Sequence, residues 1–74
     1  MKLQIISAKN PGITAEVTRV SLPATMGPFV VLKNHAPIIA ALEQGEIKWD
    51  SGAYSIRSGF VKVKDNNIVA VVED

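Results

Sequence analysis

His35 is the one imidazole in this chain of 74 residues, so any search for chemistry starts there. A lone histidine can serve as a base, a metal ligand or a fixed structural group. As a base for nucleophilic attack it needs a nucleophile and an orienting acid. The serines at 7, 21, 51, 55 and 58 lack the context of a nucleophile elbow. As a metal ligand it needs further His or Cys, and the chain has no other His and no Cys. The carboxylates Glu16, Glu43, Glu46, Asp50, Asp65, Glu73 and Asp74 fall in turns or on alternating polar faces, where solvation is the default. Glycines 12, 27, 45, 52 and 59 are dispersed and form neither a phosphate loop nor a dinucleotide fingerprint. The residues therefore give no catalytic, cofactor or metal site, and His35 reads as a structural or interface group.

Size narrows the choice further. A chain this short buries only about 60% of the surface its unfolded form exposes, so its stability is expected to be marginal without a partner. Without cysteine, neither disulfides nor thiolate-bound zinc can compensate. Eight Lys and Arg stand against seven Asp and Glu, and the lysines at 2, 9, 33, 48, 62 and 64 are scattered, so no basic stripe for nucleic acid emerges. The first ten residues lack the apolar core of a signal peptide, and no run approaches the ~20 apolar residues that span a bilayer. A soluble, intracellular protein is expected.

Turn chemistry divides the chain into short strands. Leu3 and Ile5 alternate with Lys2 and Gln4, and Asn10-Pro11-Gly12 supplies a turn. From Ile13 to Leu22 the apolar phase slips near Thr18, which implies a bulge or two strands in succession. Phe29 to Leu32 is too short for a helix, and Ile38 to Leu42 favours a strand or a single turn. Ile47 and Trp49 alternate with Glu46, Lys48 and Asp50. The Asp50-Ser51-Gly52 turn then returns a strand carrying Tyr54 and Ile56, and Trp49 is expected to pair with Tyr54 across it. Val61 and Val63 alternate with lysines, Asp65-Asn66-Asn67 turns the chain, and Ile68 to Val72 is an unbroken apolar strand. The expected fold is all-β: a small two-sheet sandwich or flattened barrel of short antiparallel strands.

The stretch LPATMGPFVVLKNHAPIIAAL, residues 22–42, stands apart because Lys33 is its one charged residue. Pro37 holds Ala36 extended, and Asn34 suits a left-handed turn, so Asn34-His35-Ala36-Pro37 forms a rigid corner. Met26, Pro28, Phe29 and Ile38 are too apolar for an ordinary solvent loop, and exposed apolar patches mark binding surfaces. On residues alone, a free-standing module that binds an extended peptide at a sheet edge remains open. So does a small hydrolase built on His35, although the partners it needs are missing.

The spacing of Leu22-Pro23, Gly27, Phe29, Leu32, Asn34-His35-Ala36-Pro37, Ala40-Ala41-Leu42 and Gly45 resembles the N-terminal β-sandwich of the epsilon subunit of F-type ATP synthases. Ser58-Gly59-Phe60-Val61-Lys62-Val63 and Val69 to Asp74 extend the resemblance over essentially the whole chain. It implies a non-catalytic central-stalk subunit, without cofactor, that ties the gamma subunit to the membrane c-ring. Its place would be the F1 sector, at the cytoplasmic face of the bacterial inner membrane. Carried onto this sequence, Ser7, His35, Ala36, Ile38 and Ala40 would face gamma. Thr25, Met26, Gly27, Pro28, Lys33 and Asn34 would face the polar loops of the c-ring. Lys33, Val30 and Pro28 depart from the family's common residues, and Ser58 replaces the first glycine of a pair. The resemblance also implies one sandwich domain over 1–74 without the family's C-terminal helical hairpin, and hence no nucleotide binding.

Overall fold

Runs of four to seven residues bounded by turn formers are too short to bury a helix face, and each becomes a strand. The computed structural model describes residues 1–10 and 12–74, so the Pro11 position of the first turn lies outside the described residues. The strands are β1 (Lys2–Ile6), β2 (Ile13–Glu16), β3 (Arg19–Leu22), β4 (Phe29–Leu32) and β5 (Ile38–Leu42). β6 (Gly45–Trp49), β7 (Gly52–Ile56), β8 (Ser58–Lys64) and β9 (Asn67–Glu73) follow. They form two sheets, one of five strands in the order β2-β1-β9-β8-β5 and one of four in the order β4-β3-β6-β7. Leu3, Ile5, Val61, Val63 and Ile68 from the first meet Val20, Leu22, Val31 and Ile47 from the second, all nearly or wholly inaccessible.

The phase slip near Thr18 marks a change of sheet. β2 pairs with β1 in the five-stranded sheet and β3 with β4 and β6 in the other, so of the two expected arrangements the structure forms successive strands. The Asp50 carboxylate secures this crossing. It accepts hydrogen bonds from the Thr18 amide at 3.0 and 3.1 Å, from the Thr18 hydroxyl at 3.0 Å and from the Arg19 amide at 3.3 Å. Desolvation pushes the Asp50 pKa up, but the bonds from Thr18 and Arg19 outweigh it and the net shift is downward.

Two expectations need correction. The β1–β9 ladder is parallel while the other pairings are antiparallel, an arrangement open to β1 and β9 since no tight hairpin has to join them. Trp49 also does not lie opposite Tyr54. The two-residue turn sets Trp49 against Gly52 and Ile47 against Tyr54, and a Cβ at residue 52 would come within 2.8 Å of the Trp49 ring. A second tight contact explains Gly59. A Cβ there would lie 2.5 Å from the Val71 carbonyl oxygen and 2.9 Å from the Val72 Cα, both backbone.

Gly59→Ala should therefore destabilise the chain by about 1–3 kcal/mol in a urea melt, because the neighbouring strand must shift. A midpoint equal to that of the unaltered chain would show that β9 yields freely. The Asp50 contribution is present above the ordinary carboxylate pKa near ~3.9 and is lost as pH falls through the lower folded-state value. Asp50→Asn should therefore flatten the loss of stability measured below about pH 4.

Candidate interaction surface

The residues between β3 and β4 form a tip beside the end of β5. The Thr25 amide donates to the Ala41 carbonyl at 2.9 Å, Ala24 bridges Leu42, and the Gly27 amide closes a turn onto the Ala24 carbonyl at 3.0 Å. Gly27 has φ 127°, a conformation side chains oppose, and Met26 beside it is 89% exposed. Thr25, Met26, Gly27 and Pro28 thus protrude together.

Lys33 and Asn34 do not join them. They sit past the far end of β4, five residues from Pro28 and so about 16 Å away along the strand, in the corner that holds His35 and Ala36. Asn34 takes φ 66°, and the His35 amide donates to the Leu32 carbonyl at 3.1 Å. His35 Nδ1 lies 2.7 Å from the Ala36 carbonyl oxygen, which can only accept, so Nδ1 carries the hydrogen in this contact. The ring tilts against Phe29 with centroids 6.2 Å apart. Among the described residues no group of three or more His, Cys, Asp or Glu could hold a metal ion.

Of the five positions assigned to gamma, His35 and Ile38 are half-buried and Ala36 is exposed. Ala40 and Ser7 point inward, with 9% and 7% exposure, so their side chains offer little to a partner. A resemblance transfers positions and not side-chain directions. Ala40 falls on the inner phase of β5 between Ile38 and Leu42. Ser7 is engaged internally: its hydroxyl donates to Asp74 Oδ2 at 3.0 Å, accepts from the Asn10 amide at 2.8 Å and lies 3.2 Å from Tyr54 Oη. Tyr54 Oη also donates to Asp74 and accepts from Asn10 Nδ2 at 3.1 Å. The bond from Tyr54 is the main cause of a lowered Asp74 pKa, with Ser7 adding to it.

A larger surface was missed in the sequence. Ala41, Phe60, Val71 and Ile6 stand side by side on four neighbouring strands and point away from the core. The next row is Ile39, Lys62, Val69, Gln4 and Thr14. Ile39 is 73% exposed, Phe60 65% and Val71 54%. Lys62 lies within this band, and Lys64 and Lys2 border it on one side. The four-stranded sheet is more mixed: its outer side carries Arg19, Ser21, Glu46 and Lys48, with Lys48 Nζ 3.7 Å from Glu46 Oε1, and beside them Leu32 at 56% exposure and Val30 at 39%. The available signal was the unbroken apolar run of β9, whose Val69 and Val71 have no reason to be apolar if that side faces water.

The larger contiguous apolar band therefore lies on the outer side of the five-stranded sheet. The model of the ATP synthase delta/epsilon chain β-sandwich domain matches residues 1–74, and the chain belongs to that family. It is 32% identical over 78 residues to the ATP synthase epsilon chain of Chlorobium limicola, covering 99% of this chain and 89% of that one. It is 35% identical over 72 residues to the epsilon chain of Leptospira interrogans, covering 92% of this chain but 57% of the relative. With the Anaeromyxobacter sp. (strain K) epsilon chain it shares 29% identity and spans 58% of its length. In structure it superposes with a TM-score of 0.83 on a chain of the Tetrahymena thermophila mitochondrial ATP synthase central stalk and c-ring. That match covers 99% of this chain and 63% of the other at 17% identity, and it establishes the shared fold.

Tyr54→Phe removes a hydroxyl that serves Asp74 and Asn10 across the two sheets, and should lower stability by about 1–2 kcal/mol. For a chain of this size that is a fall of roughly 4–16 °C in the thermal midpoint. An unchanged midpoint would show that the cluster contributes nothing net.

Proposed function

We propose that this chain is a non-catalytic rotor subunit of an F-type ATP synthase, joining the gamma subunit to the c-ring so that ion-driven rotation reaches the catalytic head. Its place would be the F1 sector, at the cytoplasmic face of a bacterial plasma membrane. The observation that carries this reading is the apolar outer face of the five-stranded sheet, which reaches toward the His35 corner through Ile39. Monomers seldom leave such a band bare. The relatives' epsilon-chain names and the stalk origin of the structural neighbour support the same reading.

In this arrangement gamma covers Ile39, Phe60 and Val71 together with His35, Ala36 and Ile38. The Ser7 end of β1 and the corner before β5 lie at opposite margins of that face, so the two separated parts of the gamma assignment are spanned by one apolar band. Ser7 and Ala40 support it from beneath. The tip of Thr25, Met26, Gly27 and Pro28 meets the c-ring, with the Thr25 hydroxyl and the free backbone groups of the tip for polar contacts, since Met and Pro side chains donate none. Lys33 and Asn34 would reach the ring only if it also spans the length of β4. Nothing in this reading requires nucleotide chemistry in the chain.

The test is titration of purified gamma with the chain and its variants. Phe60→Glu and Ala36→Glu should each weaken binding at least tenfold, because a charge is then desolvated at a covered apolar contact. Lys48→Glu, on the outer side of the other sheet, should leave the affinity unchanged. Equal loss from all three, or from none, would contradict the assignment of this face to gamma.

A further inference from the structure

Asn34 and Asn66 lie 32 positions apart, yet both adopt the left-handed region, at φ 66° and φ 62°, and their side chains clasp each other. The Asn34 amide donates to Asn66 Oδ1 at 2.7 Å, and Asn66 Nδ2 donates to Asn34 Oδ1 at 3.3 Å. The Asn66 carbonyl also accepts the Lys2 amide at 3.0 Å. One residue in the two-residue turn between β8 and β9 thus holds the start of β1 and the corner between β4 and β5. It also joins the sheets, since β4 belongs to one and β8 and β9 to the other.

The other hydrogen bonds of residues 33–37 are local, from the His35 amide to Leu32 and from the His35 ring to Ala36. Among the described residues, the pair with Asn66 is the corner's only long-range hydrogen-bonded tie. Asp65, Asn66, Asn34, His35 and Pro37 border one shallow hollow, so the clasp and His35 share it. A left-handed residue without such a tie has a flat choice between conformations, and a corner free to swing loses affinity when a partner must order it.

We infer that Asn66 is a positioning residue: it locks Asn34 and thereby presents His35, Ala36 and Pro37 in one orientation to the partner on that side. This rests on the reading of the corner as part of the gamma contact. Asn66→Gly keeps the positive φ accessible and removes both side-chain bonds. Asn66→Asp keeps the oxygen that accepts the Asn34 amide and loses the donor.

Two readouts separate the clasp from the contact. Hydrogen exchange by NMR should show the Asn34 amide exchanging at least tenfold faster in Asn66→Gly, while the core amides of Ile47 and Val61 keep their protection. In Asn66→Asp most of the Asn34 protection should return. Affinity for purified gamma should fall roughly threefold to tenfold in the glycine variant and recover in the aspartate variant. Unchanged Asn34 exchange in Asn66→Gly overturns the clasp. Should that variant loosen Ile47 and Val61 as well, Asn66→Asp decides: loss of Asn34 protection there overturns it. Faster corner exchange with unaltered gamma affinity overturns the positioning role. Failure of the unaltered chain to bind gamma overturns the proposed function instead, and the exchange data still decide the clasp.

Discussion

Leu3, Ile5 and Ile68 from one sheet and Val20, Leu22 and Ile47 from the other meet in a single aliphatic layer, and the rest of the molecule depends on it. Sheets packed this way stand about 10 Å apart, and each strand alternates residues into and out of the gap. Fixing the inner set therefore fixes the outer set. On β8 the burial of Val61 and Val63 forces Phe60 and Lys62 outward, and on β9 the burial of Ala70 and Val72 does the same to Val71. The apolar outer band is a by-product of register in its position. Its composition is not, because polar residues would serve equally well there in an isolated protein.

Aliphatic packing does not hold the sheet crossings alone: Val17 is buried at the passage from β2 to β3, and polar side chains add the rest. Asp50 secures the passage from β2 to β3, Asn66 the corner from β4 to β5, and the cluster of Tyr54, Ser7 and Asp74 ties β7 to the ends of β1 and β9. Each joins distant parts of the chain to backbone or to another polar group. In a protein too small for a large core, such ties decide whether loops keep one shape.

The strands themselves were legible, because a period of two shows in segments such as Glu46 to Asp50, and turn formers bound even the uniformly apolar Phe29 to Leu32, which is too short for a helix. Which sheet each strand joins was not, since alternation reports a face and not a neighbour; the slip at Thr18 showed only that something changed. The parallel β1–β9 ladder and the ties made by Asp50 and Asn66 were invisible for a similar reason, as they link residues far apart in sequence. The protruding tip and the His35 corner were placed correctly as turns. Ser7 and Ala40 show the limit of family resemblance, which carried their positions but not the direction of their side chains. Phe60, Ile39 and Val71 escaped notice because each looked like an ordinary strand residue until register set them side by side.

The chain has two phenylalanines, and they fall on opposite sides of the question: Phe29 is half-buried beside His35 and Phe60 stands on the bare outer face. Fluorine NMR of chain labelled at both rings, recorded in H2O and D2O with and without saturating gamma subunit, reads their contact with solvent directly. Coverage of the outer face by gamma predicts a Phe60 resonance that loses most of its solvent isotope shift in the complex. A Phe60 resonance that keeps its full isotope shift while gamma is bound would place the partner elsewhere and contradict the assignment of this face.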